Sequence, residues 1–577
     1  MSRDQEVLNA ITAIKAGTPA RALESLTLDF KQQGRSRDDI IKELVEVALS
    51  FANTDGGVIA LGVSDKLTGS EAFLGTDLSA QEVKRRIFDL TNPHLTVDAQ
   101  SIEVVGKSII LVYVPQSPEI HADQKGRAPH RVDTDCLPLS PHEITRLREE
   151  RLGIDWSGKE SDRSITDISE LALAVARKRL SALVDERRKL ATLSTGDLLR
   201  ALGVVSNDGQ LLRAGEILFC EPTSLVQSPI VYQFRATPGG EPKAVERLDN
   251  PLVLAFDQLL TLIQARQNVT LLNLPNGQQL AIEDFPELAV REGLANALIH
   301  RDYNVASPVV IEHSPSSFVV TSPGPLVSGV TPKNILTHPS KPRNPLLAQA
   351  FRKLGLAEEL GRGVDRMYRE MIRSGRELPI IESTFELVRV TLVGGAPNTN
   401  VARFVAQLPE EERDDTDTML LLFHLCSTRT ISATKLAPII QKTLEETEGT
   451  LRRLANEPLA IIETTRQTAR SAYPSYRLRA ETVKSLGPAV KYNRRTMDDI
   501  DRKVIAHVQE YGKITNKTIQ NLFDLDVQRA KAVLADLVNR GILVKTSQQS
   551  RGPGIEYGKG ENFPYSRQPV PKKKTSK

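Results

Sequence analysis

Two groups of polar residues in this 577-residue chain have the types and spacings that chemistry needs. Glu292 and Asn296 stand four apart in the run Arg291-Glu292-Gly293-Leu294-Ala295-Asn296-Ala297-Leu298-Ile299-His300-Arg301-Asp302-Tyr303. On a helix that spacing stacks them on one face, with Ala295, Leu298 and Ile299 supplying the buried side. A carboxylate above an amide can polarise a water and share a Mg²⁺ ion beside a nucleoside triphosphate. Farther on, Gly361 and Gly363 precede the helical run Val364-Asp365-Arg366-Met367, which would bring backbone N–H groups and a helix N-terminus towards phosphates. In the second group, Asp29 and Lys31 lie two apart and so share a strand face, and Asp65 ends another strand. An acid that holds a divalent ion, beside a lysine that orients water, suits phosphodiester cleavage. Glu24 is an odd number of residues from Asp29 and joins it only if the chain bends between them. Each group also has a plain reading as solvated surface polarity.

The elements that would position these residues follow from periodicity. Leu26, Leu28 and Phe30 alternate with Thr27, Asp29 and Lys31, which predicts a strand with one polar face. Ile40, Ile41, Leu44, Val45, Ala48 and Leu49 keep helical spacing. The turn Phe51-Ala52-Asn53-Thr54-Asp55-Gly56-Gly57 then leads into Val58–Val63, apolar on both faces and so a central strand. Val309-Val310-Ile311 and Phe318-Val319-Val320 read as paired strands, the second running into Thr321-Ser322-Pro323-Gly324. Arg343-Asn344-Pro345-Leu346 and the alternating strand Phe385–Leu392 follow.

Glu-x₃-Asn-Ala, the Pro-Gly turn at Gly324 and the glycine pair, in that order, resemble the Bergerat (GHKL) ATP-binding fold, in the divergent branch fused to Schlafen-type AlbA domains. The resemblance spans about residues 281–392. It implies that Glu292 activates water, that Asn296 binds Mg²⁺, that Gly324 belongs to the adenine-side turn, and that Gly361 and Gly363 form the phosphate-side lid. The chain departs from the family at Ser322-Pro323, where an Asp usually stands. His300-Arg301-Asp302 matches the start of a protein-kinase catalytic loop, but no Asn follows at the required distance and the kinase glycine loop is missing. These residues are read instead as closing the end of the nucleotide helix. Near the N-terminus, Leu28–Lys31, the Ala-Asn-Thr-Asp-Gly-Gly turn and Leu61-Gly62-Val63-Ser64-Asp65 resemble the Schlafen-type AlbA domain over roughly residues 20–145. That resemblance implies nucleic-acid binding, and for nuclease members a metal-holding acid trio at Glu24, Asp29 and Asp65. The middle acid is usually Glu, so Asp29 is a shortened ligand. Lys84, Arg85, Arg86, Lys125, Arg127 and Arg131 are read as a phosphate track or as ordinary surface charge.

The length calls for several domains, and 40% apolar with 25% charged residues is ordinary globular composition. A net charge of +3 names no partner. Cys136, Cys220 and Cys426 are scattered without metal-ligand spacing and suit a reducing cytoplasm. No apolar run is long enough to span a bilayer, and the first residues lack a signal-peptide core. The expected architecture is an α+β multidomain chain. It comprises an AlbA/Schlafen-like α+β domain at 1–150, a charged linker at 150–165 and a small helical, winged connecting subdomain at 165–235. A GHKL-like α/β sandwich at 236–395 follows, then a winged-helix-like unit at 410–482, a winged helix-turn-helix at 495–560 and a basic tail at 561–577. In the second unit Gln528, Arg529 and Lys531 would face a DNA major groove.

Three functions remain open at this level. The first is an ATP-controlled, metal-dependent nuclease, with Glu24, Asp29, Lys31, Asp65 and Glu292 catalytic and Mg²⁺ or Mn²⁺ held by Glu24, Asp29, Asp65 and Asn296. The second is an ATP-responsive DNA-binding regulator that does not cut. The third is an ATP-driven scaffold. The shared expectation is a cytoplasmic, homo-oligomeric protein that binds ATP and nucleic acid (RNA or DNA) and no membrane.

Overall fold

The computed structural model describes residues 3–34, 36–222, 230–274, 277–357, 363–465, 467–490, 497–523, 525–547 and 554–563. Gly361, residues 548–553 of the expected winged helix-turn-helix and the basic tail from 564 lie outside these residues. The architecture is mixed α+β and multidomain, with two compact units. The larger runs through residue 421 and takes in 433–450; the smaller takes 422–432 and the chain from 451 on. No helix among the described residues is long and apolar enough to cross a membrane.

In the larger unit, a four-stranded sheet runs in the order Leu28–Lys31, Gly57–Leu61, Lys107–Val114, Asp98–Val104, the first pair parallel and the rest antiparallel. Gly57–Leu61 is buried throughout, as a central strand must be. Both faces are covered. The helix Arg3–Lys15 lays Val7, Ile11 and Ile14 on Leu28, Phe30, Val58 and Ala60. The helix Arg37–Ala52, started by a Ser36 side chain that accepts from the Asp39 N–H, packs Leu44, Ala48 and Phe51 against Ile59, Leu61 and Val112. Asp29 pairs in register with Ile59, which lies under the helix Arg37–Ala52, so it faces a covered side of the sheet and is only 2% exposed. The expected polar face of this strand is a buried one.

Next comes the helix Pro141–Arg151, opened by a Ser140–Glu143 capping box with proline at its first turn. A six-stranded sheet then runs in the order Pro242–Leu248, Ile230–Arg235, Val309–Ser314, Ser317–Pro323, Leu387–Val393, Ile380–Ser383. The pairing of Ile230–Arg235 with Val309–Ser314 is parallel; the other pairs are antiparallel. One continuous core joins this sheet to the helices Leu252–Gln264, Glu287–Ile299, Pro345–Lys353 and Gly363–Arg373. The same core absorbs Leu180, Leu199 and Phe219 of the preceding helical segment.

Inside it His313 is fully buried, its Nδ1 2.8 Å from the Tyr232 hydroxyl, with Phe234, Phe285 and Phe318 rings 5.4–5.6 Å away. Burial pushes its pKa down to about 4, so it folds neutral. Below its ordinary value of 6.5 the unfolded chain takes up this proton and the folded chain does not, so stability falls from pH 6.5 towards pH 4. The loss from this group reaches roughly 3 kcal/mol at the acid end. Urea unfolding at pH 7, 6 and 5 should follow that slope, and His313→Gln should flatten it.

The smaller unit holds two three-stranded antiparallel sheets. In one, Ser475–Leu478 lies between Ile431–Ser432 and Ile462–Thr464. In the other, Glu556–Lys559 lies between Ile514–Thr515 and Leu543–Lys545. The helices Met497–Tyr511, Asn516–Phe523 and Val527–Asn539 share a core of Val504, Val508, Ile519, Leu534 and Leu537 with the second sheet. Asp526 caps the last helix by accepting from the Gln528 and Arg529 N–H groups, and leaves Gln528, Arg529 and Lys531 exposed.

Candidate functional site

A pocket opens between the helix Glu287–Ile299 and the sheet, lined among others by Glu292, Asn296, His300, Ser322, Gly324 and Gly363. Glu292 is buried and Asn296 half-buried one turn on, as their spacing requires. Gly363, the first residue of the helix Gly363–Arg373, lies directly against them. A Cβ there would overlap Glu292 Oε2 and stand 3.5 Å from Asn296 Nδ2. Glycine is needed here for close approach rather than for backbone freedom. The Glu292 carboxylate thus sits at a helix N-terminus, with Arg366 Nη1 3.9 Å from its Oε1. Lys341 and Arg352 add cationic side chains to the wall, and Val320, Ile335, Val390 and Met367 add apolar ones. An acid and an amide at one end, cations and a helix N-terminus nearby, and apolar walls beyond make a donor set that fits a Mg²⁺-nucleotide. Asn296 and Glu292 would hold the ion and its water.

On the other side of the pocket, Gly324 takes a φ of +93°, and a Cβ there would stand 2.8 Å from Asp302 Cβ. Its N–H donates to Glu386 O at 2.7 Å. Ser322, where the resemblance leads one to expect an Asp, donates its hydroxyl to Ala297 O at 2.7 Å and so ties the strand end to the helix Glu287–Ile299. A buried carboxylate does stand beside this turn, but it comes from Asp302. The His-Arg-Asp-Tyr stretch closes the helix as expected. Arg301 donates to Val305 O and Ser307 O, and the Tyr303 hydroxyl donates to Leu298 O. His300 is pushed down to about 4 by burial and by Arg343, so it is neutral at pH 7.

Arg343, whose spacing in the sequence suggests no role, is a hub in the structure. Its Nε donates to His300 O at 3.0 Å, its Nη2 donates to Pro325 O at 2.8 Å, and its Nη1 pairs with Glu150. Asn344 donates to Ile299 O and Arg301 O. Glu150 belongs to the helix Pro141–Arg151, and the neighbouring Arg151 donates to Asn53 O at 2.6 Å and Ser117 O at 2.8 Å. One short helix therefore grips the pocket's rim with Glu150 and the Ala-Asn-Thr-Asp-Gly-Gly turn with Arg151. The stretch read as a linker is docked as well. Asp155 and Ser157 accept from the Leu346 and Leu347 N–H groups, and Trp156 stacks on Tyr303 at 4.8 Å. Distant backbone partners of this kind leave no local pattern.

The turn itself is a joint. Asn53 donates to His121 O and Pro129 O and accepts from the His121 N–H. Gly56 has a φ of +74°, and a Cβ on it would lie 2.7 Å from Val114 O.

Glu24 and Asp29 do come together. The chain bends after the short 3₁₀ segment Ala20–Leu23, and burial, with Asp29 alongside, raises the Glu24 carboxyl above its ordinary value. Asp29, however, is already engaged on both oxygens. Lys31 Nζ lies 2.5 Å from Oδ1, and Arg131 Nη1 lies 2.6 Å from Oδ2. Arg131 is itself buried, its guanidinium 4.9 Å over the Phe51 ring. Asp65 is half-buried, and among the described residues no three His, Cys, Asp or Glu side chains gather closely enough to share a metal ion. The acids Glu24, Asp29 and Asp65 as placed do not fit a common divalent ion. The basic track is largely engaged too. Lys84 pairs with Asp98, Arg85 with Asp89, Arg86 with Asp38 and Arg127 with Glu46, while Lys125 is exposed.

The two halves of this arrangement have separate relatives. Residues 24–140 match the family model "Schlafen, AlbA_2". Residues 307–392 match "Putative ATP-dependent DNA helicase recG C-terminal", a range that takes in Gly324 and Gly363 but begins after Glu292 and Asn296. The chain is thus a fusion of a Schlafen-type AlbA_2 domain with an ATPase-like domain. No curated protein matches it. Among solved structures, the DIP2311 protein from Corynebacterium diphtheriae is similar over 84% of this chain and 99% of its own, at 26% identity and a TM-score of 0.51.

Proposed function

We propose that this protein is an ATP-responsive nucleic-acid-binding regulator, in which a GHKL-like pocket holds Mg²⁺-ATP and the AlbA_2 domain contacts nucleic acid. The observation that carries the reading is the shared helix Pro141–Arg151, with Glu150 on Arg343 at the pocket's rim and Arg151 on the AlbA_2 turn. A nucleotide that shifts Pro325 or His300 moves Arg343, and through Glu150 it moves the helix that fastens the other domain. Such a ligand shifts the equilibrium only by its differential affinity for the two arrangements. The two helix-strand units of the C-terminal half are read as winged helices, with Gln528, Arg529 and Lys531 of the second towards DNA.

Of the two main expectations, the double engagement of Asp29 favours regulation over cleavage. Both oxygens of this carboxylate are held in ion pairs, one with Lys31 and one with the buried Arg131, so a metal would have to compete with these two cations for Asp29. The test uses labelled RNA and DNA with the intact protein and Mg²⁺ or Mn²⁺, with and without a non-hydrolysable ATP analogue. The expected result is binding whose affinity changes at least fivefold with the analogue, and no cleavage. Metal-dependent cleavage that Glu24→Gln or Asp65→Asn removes would restore the nuclease. These variants are chosen because neither takes apart the buried Asp29 pairs.

A further inference from the structure

The wall of the nucleotide pocket includes Val327, Val330, Ile335, His338 and Lys341, all from the long connection after Gly324. This connection is braced from within. Asn334 accepts from the Thr331 N–H at 2.7 Å, donates to Gly329 O at 2.8 Å, and takes the His338 N–H on its carbonyl at 2.8 Å. It is a folded lid. Near Gly324 it is held by Arg343 on Pro325 O and by the Leu326 N–H on the Ser383 hydroxyl, and its far part, at Pro332 and Leu336, is held by Gln441. Gln441 Oε1 accepts from the Leu336 N–H at 2.8 Å, and Gln441 Nε2 donates to Pro332 O at 2.9 Å. One amide offers the lid both halves of a backbone-like pairing.

Gln441 lies in the turn between the helices Ala433–Ile440 and Leu444–Ala455. Its φ is +58°, the left-handed conformation that ends many helices and is ordinarily filled by glycine. A side chain with a Cβ is strained there. Glycine would relieve the strain and lose the amide. The turn is otherwise well fastened, with the Lys442 N–H on Ala437 O at 3.1 Å and Lys442 Nζ 2.6 Å from Asp417. The strained position is therefore occupied by a side chain whose amide reaches the lid.

We propose that Gln441 is a clasp that couples the lid of the nucleotide pocket to this helix pair, so that seating or releasing the nucleotide is felt at the turn before Leu444. The proposal rests on the nucleotide reading of the pocket. With the clasp closed the lid stays over the bound nucleotide; when the lid moves, Pro332 and Leu336 pull on Gln441. By linkage, whatever displaces the helix pair changes nucleotide release in return.

The experiment compares the full-length protein with Gln441→Gly and Gln441→Ala, using a fluorescent ATP analogue with Mg²⁺. Glycine suits the left-handed turn, so Gln441→Gly should unfold at or above the wild-type temperature. Loss of two neutral hydrogen bonds should speed release of the analogue about tenfold. Without any nucleotide, amide exchange at Leu336 should accelerate by a similar factor. In the wild type the analogue should slow exchange around residues 441–450, and in Gln441→Gly it should not. Failure of the wild type to bind the analogue would overturn the nucleotide reading itself. Binding by the wild type, with release and Leu336 exchange unchanged in Gln441→Gly, would overturn the clasp and leave that reading standing.

Discussion

Gly363→Ala should fold normally and lose at least tenfold in affinity for Mg²⁺-ATP or its non-hydrolysable analogue. The new methyl group would occupy the position of Glu292 Oε2 and reach within 3.5 Å of Asn296 Nδ2. The atom it meets is the far end of a flexible side chain, so the clash is relieved by turning Glu292 away rather than by unfolding a helix. The carboxylate would then leave the N-terminus of Gly363–Arg373, and a shift of about 1 Å at such a group is enough to lose a large factor in function. Isothermal titration measures the affinity, and a thermal scan checks the fold. Glu292→Ala supplies the control. In the double variant the overlap is gone, so adding Gly363→Ala to Glu292→Ala should cost little more, a clear departure from additivity. Full additivity would mean that Gly363 serves the site in some other way.

Arg131→Ala should destabilise the AlbA_2 domain by about 3–5 kcal/mol, the usual range for breaking a buried ion pair on one side. The substitution strips Asp29 of a partner 2.6 Å away, and both side chains are 1–2% exposed. It also empties the space over Phe51. Lys31 remains at 2.5 Å but is 24% exposed, so it compensates only in part. Chemical denaturation of the intact protein reads the loss, and Arg131→Lys should recover part of it without the planar stacking on Phe51. Wild-type stability together with weakened RNA or DNA binding would return Arg131 to the phosphate track. The same geometry warns against Asp29→Ala as a catalytic probe, because a loss of activity there would be confounded by a loss of fold.

Much of the fold was legible because its signals are local. The central strand after the Gly-Gly turn, the hairpin around Val309–Val320 and the helix carrying Glu292 and Asn296 all follow from periodicity. Spacing also stacked Glu292 and Asn296 on one helix face, a short-range fact, whereas the resemblance in motif order alone implied that Gly363 joins them. What periodicity could not say was which side of the first strand is covered. Asp29 and Lys31 alternate like a solvent face, yet Arg37–Ala52 and Arg131 lie over them. Nor does any local pattern pair Arg343 with Glu150, 193 residues away, or Gln441 with Leu336, 105 residues away. Both contacts depend on side chains meeting backbone carbonyls, N–H groups or a lone carboxylate across the fold, and such partners have no period.

By itself, then, the sequence determined the chemistry available and the elements that carry it: an acid and an amide one turn apart, a glycine at a helix start, and an acidic edge on a strand. The tertiary structure alone decided which charges are already satisfied and which elements move together. The physical reason is that burial and ion pairing are settled by what packs on top of a residue, and that is a property of distant parts of the chain.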